Sequence, residues 1–124
     1  TPLLTLDERL SLVRECVTGL QGVNVVAFEG LLVDAARAAG ATAVVRGVRS
    51  VTDYEHEWPM ARMNAALLPR LETVLLAAAP EWAHVSSSLV RQIHVLGGSV
   101  EAFVPPAAVA LLARAAARRA STDV

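Results

Sequence analysis

Apolar and polar residues follow two periodicities along this chain, one typical of α-helices and one typical of buried β-strands. Short aliphatic and β-branched runs predict three strands, at residues 23–28, 41–45 and 72–78. Apolar residues at intervals of three and four predict helices at residues 6–18, 31–39, 53–68, 89–96 and about 106–120. Because strands and helices alternate, the pattern predicts an α/β fold with a parallel sheet.

Capping and breaking residues mark the ends of several of these elements. Thr5 and Glu8 form a capping-box pattern in front of the first helix, and Gly40 marks the end of the second. Pro59, inside the longest helical pattern, predicts a kink or a restart. The strand at 41–45 is almost continuously apolar, which is typical of a strand buried on both faces and favours helices on both sides of the sheet.

Composition restricts the class of protein. The 124 residues, 54% of them hydrophobic, fit a single domain, residues 1–124, with one sizeable core. The formal net charge of −1 provides no global basic field, so no nucleic-acid partner is expected. No apolar run is long enough to span a bilayer, so no membrane partner is expected either. Cys16 is the only cysteine, which favours a reducing, cytoplasmic location.

Cationic and hydroxyl side chains lie where two of the predicted strands end. Arg46, Gly47 and Arg49 follow one strand, and Ser86, Ser87 and Ser88 begin the helix after another. Ligands of open α/β folds bind at the carboxyl ends of the strands. There the arginine fork and the free N–H groups of a helix start both suit phosphate, so we predict an anion site. The alternatives are a solvated loop with two arginines and an over-supplied helix cap.

Other polar residues leave more than one interpretation open. Glu57 is a ligand for a ribose or a cation, or else a solvated helix charge; Trp82 packs near a base or within its own loop. His56, His84 and His94 are scattered without metal-ligand or triad spacing, so no metal site formed by protein side chains is predicted. Neither a GxGxxG nor a Walker A motif is present.

The order and spacing of several motifs resemble those of the bacterial phosphopantetheine adenylyltransferases over nearly the whole chain. The motifs are Arg46-Gly47-Val48-Arg49, Thr52-Asp53-Tyr54-Glu55-His56-Glu57, Met63-Asn64, Glu81-Trp82 and Val85-Ser86-Ser87-Ser88-Leu89-Val90-Arg91. The resemblance implies a Rossmann-like nucleotidyltransferase fold, with a parallel sheet and helices on both faces, in a homohexamer. It also implies transfer of an adenylyl group from ATP to 4′-phosphopantetheine with Mg²⁺, giving dephospho-CoA and pyrophosphate, with CoA as feedback inhibitor.

The same resemblance implies roles for individual residues. Arg46 would contact phosphopantetheine, and Leu31, Leu32, His56, Met63 and Asn64 would line the site of its arm. The residues at ATP-binding positions are Gly47, Val48, Arg49, Glu57, Trp82, Ala83, His84, Val85, Ser86, Ser87 and Ser88. Arg49 and Ser87 would stabilise the reacting phosphates, and Mg²⁺ would be held through the phosphates of ATP.

The chain departs from the family pattern at its start and at a few positions. The glycine-rich turn and the His-x-Gly-His motif of the family have no counterpart here, so we expect an N-terminally incomplete domain whose first strand and helix are absent from this chain. His56 replaces a usual tyrosine, Gln92 a common glutamate, and Pro59 lies inside a helix. The first rival hypothesis is a catalytically inactive relative that binds a nucleotide or CoA. The second is a generic doubly wound domain of the flavodoxin type, against which the arginines and serines argue.

Overall fold

The computed structural model describes residues 2–122, and their side chains as far as residue 118. The elements in chain order are α1 (Leu6–Cys16), α2 (Leu32–Ala38), β1 (Ala43–Val48), α3 (Val51–Leu67), β2 (Glu72–Ala77), α4 (Ser87–Val95) and α5 (Pro106–Thr122). They form two compact units. We call Phe28–His84 the strand unit, and the residues up to Ala27 together with those from Val85 onward the helical unit.

The strand unit contains a parallel sheet and the helix that connects its strands. β1 and β2 pair in parallel, in a register that runs from Ala43 opposite Glu72 to Val48 opposite Ala77. α3 connects the two strands and packs against both of them. A small apolar cluster of Val33, Ala36, Leu68 and Leu71 is buried beside this sheet, with Ala41 and Val44 packed against it. The predicted α/β fold with a parallel sheet is therefore confirmed.

One predicted strand is wrong. Residues 23–28 form no strand, although their β-branched composition favours one. A strand requires a neighbour that takes up its N–H and C=O groups. In the part of the chain that the structure describes, β1 and β2 pair only with each other. A run of residues shows a preference for extended backbone, but it does not supply the partner.

At the junction of β1 and α3, two boundaries also differ from the prediction, each for a local reason. β1 continues to Val48 because its last three residues keep their pairing with β2, so Arg46 lies inside the strand rather than beyond its end. α3 begins at Val51 because Ser50 caps it, its hydroxyl accepting from the Asp53 N–H at 3.1 Å. α3 also runs through Pro59 without a restart.

In the helical unit, a hydrogen-bond network at the start of α1 also includes a residue of α5. Thr5 Oγ1 accepts from the Glu8 N–H at 3.2 Å, and the Thr5 N–H donates to Glu8 Oε2 at 2.8 Å. The predicted capping box is therefore confirmed. Arg118 of α5 donates to both oxygens of the same Glu8 carboxylate. Among the helices between residues 2 and 122, none has the length and apolar character needed to cross a bilayer.

Candidate functional site

A cleft of about 370 Å³ opens in the strand unit between α2, α3 and the sheet. Its walls are mostly apolar, formed by Phe28, Leu31, Leu32, Val33, Met60 and Leu67. Four polar side chains interrupt this lining: Arg46, Glu57, Asn64 and Thr73. The cleft therefore brings together four of the six predicted substrate residues, Leu31, Leu32, Arg46 and Asn64, with Glu57, which was predicted at the ATP side. The other two, His56 and Met63, do not line it.

Arg46 and Glu57 form a bidentate ion pair at this cleft. Arg46 Nε donates to Glu57 Oε2 at 2.8 Å, and Nη2 donates to Oε1 at 2.6 Å. The Arg46 hydrogen bonds lower the pKa of Glu57, and the same bonds raise the pKa of Arg46. The Glu57 side chain is only 16% exposed, so the interpretation of Glu57 as a solvated helix charge is wrong.

Arg49 and Asp53 form a second pair, at the junction of β1 and α3. The Asp53 carboxylate accepts from the backbone N–H of Arg49 at 3.0 Å, from Nε at 2.9 Å and from Nη2 at 3.3 Å. These bonds, led by those of the side chain, lower the pKa of Asp53. His56 Nδ1 lies 2.7 Å from the Thr52 carbonyl oxygen, so this ring is held against its own helix. Both predicted phosphate-binding arginines thus have a carboxylate partner.

Two polar residues of the cleft are largely shielded from water. Asn64 is 7% exposed and lies at the α3 side of the cleft. The second residue, Thr73, has no hydrogen-bond partner for its hydroxyl among the described residues. Thr73 Oγ1, on β2, is fully shielded from water. Sequence reasoning missed Thr73, because a threonine inside a strand is ordinary β-composition and gives no signal that its hydroxyl is unpaired.

The three serines begin α4, in the helical unit. Ser86 is the N-cap, and its hydroxyl accepts from the Leu89 N–H at 3.2 Å. Ser87 and Ser88, in the first turn, are exposed. All three line a cleft of about 610 Å³ together with Arg9, Arg91 and a largely apolar wall. The cap therefore uses one serine, which leaves two hydroxyls and the first-turn N–H groups of α4 for an anion.

The predicted ATP residues divide between the two units. Gly47, Val48, Arg49 and Glu57 lie in the strand unit, at or near the end of β1. The last turn of the strand unit contains Trp82, Ala83 and His84. There the backbone N–H of Trp82 donates to the Ala79 carbonyl oxygen at 2.9 Å, and Trp82 is 54% exposed. Val85, Ser86, Ser87 and Ser88 belong to the helical unit. That Arg46, Arg49 and Ser87 share one pocket stays a prediction.

Metal-ligating side chains do not cluster in the described part of the chain. Between residues 2 and 122 no group of three or more His, Cys, Asp or Glu side chains is placed to hold a metal ion. The carboxylates nearest the predicted phosphate sites, Asp53 and Glu57, are each engaged by an arginine.

Comparison with known proteins gives consistent matches. Residues 1–93 match the cytidylyltransferase-like family. The phosphopantetheine adenylyltransferase of Alkalilimnicola ehrlichii is 52% identical, over 97% of this chain and 67% of that protein. Those of Heliobacterium modesticaldum and Thioalkalivibrio sulfidiphilus are 46% and 49% identical, over 90% and 91% of this chain and 67% and 72% of theirs. The chain thus spans about two thirds of the length of these curated relatives.

Proposed function

Because this chain belongs to the cytidylyltransferase-like family and, within it, to the phosphopantetheine adenylyltransferases, we propose that the protein transfers the adenylyl group of ATP to 4′-phosphopantetheine. The products are dephospho-CoA and pyrophosphate, and the reaction is a step of CoA biosynthesis. One structural observation carries the proposal: a single mostly apolar cleft contains Arg46, Asn64, Leu31 and Leu32.

The chemistry of this cleft suits the acceptor. Phosphopantetheine has a phosphate at one end of a long, flexible chain that contains amide groups. The Arg46 fork matches the phosphate, because a guanidinium donates two parallel hydrogen bonds to one anion. The amide of Asn64, a residue that is 7% exposed at the cleft, matches a peptide-like group of the chain, and the apolar wall matches its methylenes.

In the proposed reaction, an oxygen of the acceptor phosphate attacks the α-phosphorus of ATP in line. The new P–O bond forms as the bond to the β-phosphate oxygen breaks, and pyrophosphate leaves with that electron pair. The acceptor is already an anion at neutral pH, so no strong general base is needed. The obstacle is the approach of two anions, and positioning with cationic stabilisation lowers it.

Particular residues take these roles in the proposal. Arg46 holds the acceptor phosphate, while Arg49, Ser87 and the start of α4 hold the phosphates of ATP. The remaining contacts with ATP are assigned to Gly47, Val48 and the segment from Trp82 to Ser88. The geometry that supports this assignment is local: Arg49 lies where β1 passes into α3, and the Ser87 hydroxyl is exposed at the first turn of α4.

The resemblance supports four finer proposals. Mg²⁺, bound through the phosphates of ATP, would neutralise part of their charge; no described residue is assigned to it. The protein works as a homohexamer. CoA, which contains the phosphopantetheine arm, competes for the same cleft as a feedback inhibitor. The protein acts in the cytoplasm, a reducing compartment in which the single Cys16 stays a thiol.

Pyrophosphate release tests the proposal. The full-length protein is incubated with ATP, Mg²⁺ and 4′-phosphopantetheine, and pyrophosphate and dephospho-CoA are measured together. We expect equal amounts of both, and no pyrophosphate when phosphopantetheine is omitted or replaced by dephosphorylated pantetheine. Calorimetric binding of ATP or CoA without any pyrophosphate release would instead support the inactive, ligand-binding relative.

A further inference from the structure

We propose that Arg9 is a further residue that binds the β- and γ-phosphates of ATP, at the cleft that the three serines line in the helical unit. The inference rests on the proposed function and makes it more specific, because it adds a side chain to the nucleotide contacts. It starts from the charged residues at that cleft, which are Arg9 and Arg91.

The charge of this cleft is opposite to that of the whole chain. The formal net charge of the chain is −1, but of the described residues that line the cleft none is Asp or Glu. Both Arg9 and Arg91 are exposed there. Two cations beside a largely apolar wall raise the local positive potential. In ATP the β- and γ-phosphates carry most of the negative charge, so this cleft suits the pair of phosphates that leaves as pyrophosphate.

The donors of Arg9 are mostly available. Its Nε donates to the Thr5 carbonyl oxygen at 3.4 Å, which is a long hydrogen bond. None of the described carboxylates forms an ion pair with Arg9, whereas Arg46 and Arg49 each have a carboxylate partner. The four N–H groups of Nη1 and Nη2 therefore have no acceptor in the described part of the chain. Such a fork of donors matches the oxygens of a phosphate.

The direction of Arg9 is fixed by its neighbour in the sequence. Glu8 bonds to Thr5 at the start of α1 and accepts from Arg118 of α5, and its side chain is only 18% exposed. Successive residues of an α-helix project about 100° apart around its axis. With Glu8 held against α5, the rotation of α1 is set, and Arg9 borders the cleft, to which α5 also contributes a wall.

The place of Arg9 on α1 favours a ligand over a role in the helix itself. Arg9 follows directly after Asp7 and Glu8, the acidic residues of the first turn, which suit the positive end of the helix dipole. A cation near that end is repelled by the same dipole. The charge of Arg9 therefore does not stabilise α1, and a phosphate bound beside it offsets the repulsion.

Calorimetric binding of ATP and of AMP, each with Mg²⁺, to the full-length protein gives the test. Arg9→Ala should weaken ATP binding about tenfold or more, the scale of a hydrogen bond to a charged group. AMP lacks the β- and γ-phosphates, so its affinity should stay within about twofold. Arg9→Lys, which keeps the charge without the fork, should recover part of the loss for ATP. Arg14→Ala is the matched control, because Arg14 is exposed on the same helix and does not line the cleft.

Arg118→Ala tests how Arg9 is positioned. It should weaken ATP binding more than AMP binding, by less than Arg9→Ala does, while Arg114→Ala, an exposed control on α5, should change neither. Unchanged affinity for ATP in Arg9→Ala, or equal losses for ATP and AMP, would overturn the proposal. Pyrophosphate release is measured in parallel: a parent protein that binds ATP without turnover refutes the transferase activity and still leaves the role of Arg9 decided. A parent protein that binds neither nucleotide refutes both.

Discussion

Arg49 and Asp53 are joined at the first turn of α3 by hydrogen bonds from both the backbone and the side chain of Arg49. Asp53 Oδ2 lies 3.0 Å from the backbone nitrogen of Arg49 and 2.9 Å from Arg49 Nε. The Asp53 N–H in turn donates to the Ser50 hydroxyl, which caps the helix. This short network shapes the passage from β1 to α3. Only the side-chain half of it is lost when the guanidinium is removed.

Arg49→Ala is therefore expected to separate activity from stability. The backbone bond to Asp53 survives the substitution, and the arginine side chain is 38% exposed, so the ion pair contributes little to stability. Loss of a cation that stabilises the transferring phosphates should lower kcat by roughly 100-fold. Pyrophosphate release and thermal unfolding are measured on the same preparation, with the exposed Arg62→Ala as control. Unchanged kinetics would remove Arg49 from the reaction.

Much of the segment from β1 to α3 can be predicted from local sequence signals. An apolar run, a glycine between two arginines and a helical spacing suffice to predict β1 and α3, but not the residues at which β1 ends and α3 begins. The partner of each arginine was not predicted. Glu57 is eleven residues from Arg46, and the two meet only because α3 packs back onto β1. Tertiary packing of this kind leaves no mark on the local residue pattern.

The same limit accounts for the wrong strand. Residues 23–28 have the composition of a strand, but strand formation depends on a neighbouring strand elsewhere in the fold. In contrast, the start of α1 was predicted correctly in atomic detail, because a capping box involves only Thr5 and Glu8, three residues apart. What the sequence did not indicate there is Arg118, which reaches the same carboxylate from the far end of the chain.

The neighbouring serines Ser86 and Ser87 provide a matched pair that separates capping from catalysis. Ser86 caps α4, so Ser86→Ala should destabilise the protein by about 1 kcal/mol. Ser87 is exposed in the first turn and makes no capping bond, so Ser87→Ala should leave the unfolding midpoint unchanged and weaken turnover. Urea unfolding and pyrophosphate release are compared for the two variants. Full activity of Ser87→Ala would rule out its proposed contact with phosphate.

Gly47 is a glycine that the fold does not require. Its φ is not positive, and a methyl group at its Cα would meet no described atom within 4 Å. Gly47→Ala should therefore keep or slightly raise stability, by at most about 1 kcal/mol, since alanine restricts the unfolded chain. If the triphosphate of ATP approaches this backbone, the added methyl group will raise the KM for ATP and leave that for phosphopantetheine unchanged.

Gly40→Ala is the contrasting control for Gly47→Ala. Gly40 has a φ of +66°, in the left-handed region, so alanine there should destabilise the protein by about 1 kcal/mol. Sterics do not add to this cost, because no described atom lies within 4 Å of the added methyl group. A Gly47→Ala variant that loses as much stability as Gly40→Ala would show that Gly47 serves the backbone and not the ligand.

Glu8 should make the stability of the helical unit depend on pH. Hydrogen bonds from Arg118, and then from the Thr5 backbone, hold the pKa of Glu8 below its ordinary value of 4.5. A depressed pKa stabilises the folded state above the unfolded value, and that contribution disappears as pH falls through the folded value. Glu8→Gln should therefore be less stable than the parent at neutral pH and equally stable once the pH is well below 4.5.

The stabilities of Glu8→Gln and of the parent are compared through their denaturant midpoints, measured from neutral pH to well below pH 4.5. Glu15→Gln, an exposed substitution on the same helix, should show no such convergence between neutral and acid pH. High salt should also reduce the difference in stability between the parent and Glu8→Gln at neutral pH, because the Arg118 side chain is 53% exposed and its charge is partly screened. A gap that stays constant down to acid pH would assign the effect to packing.

Thr73 gives the sharpest test of the cleft, because its hydroxyl affects stability and binding in opposite directions. Oγ1 is shielded from water and has no hydrogen-bond partner in the described part of the chain, which costs about 1–3 kcal/mol. Valine has the same shape without the hydroxyl, so Thr73→Val should raise the free energy of unfolding. Thr73→Ser keeps the hydroxyl but loses a methyl group, so it should lower that free energy by about 1 kcal/mol.

The affinity for phosphopantetheine completes the test of Thr73. Thr73 pairs with Val44 on β1, two residues before Arg46, so its Cα lies about 7 Å along the strand direction from the level of the Arg46 Cα. We expect a turn about the Cα–Cβ bond to present the hydroxyl to an amide of the bound arm. Thr73→Val should then weaken phosphopantetheine binding in calorimetry, and Thr73→Ser should not. If Thr73→Val is instead the less stable of the two, the hydroxyl is already satisfied by a buried water molecule, and its role in binding is refuted.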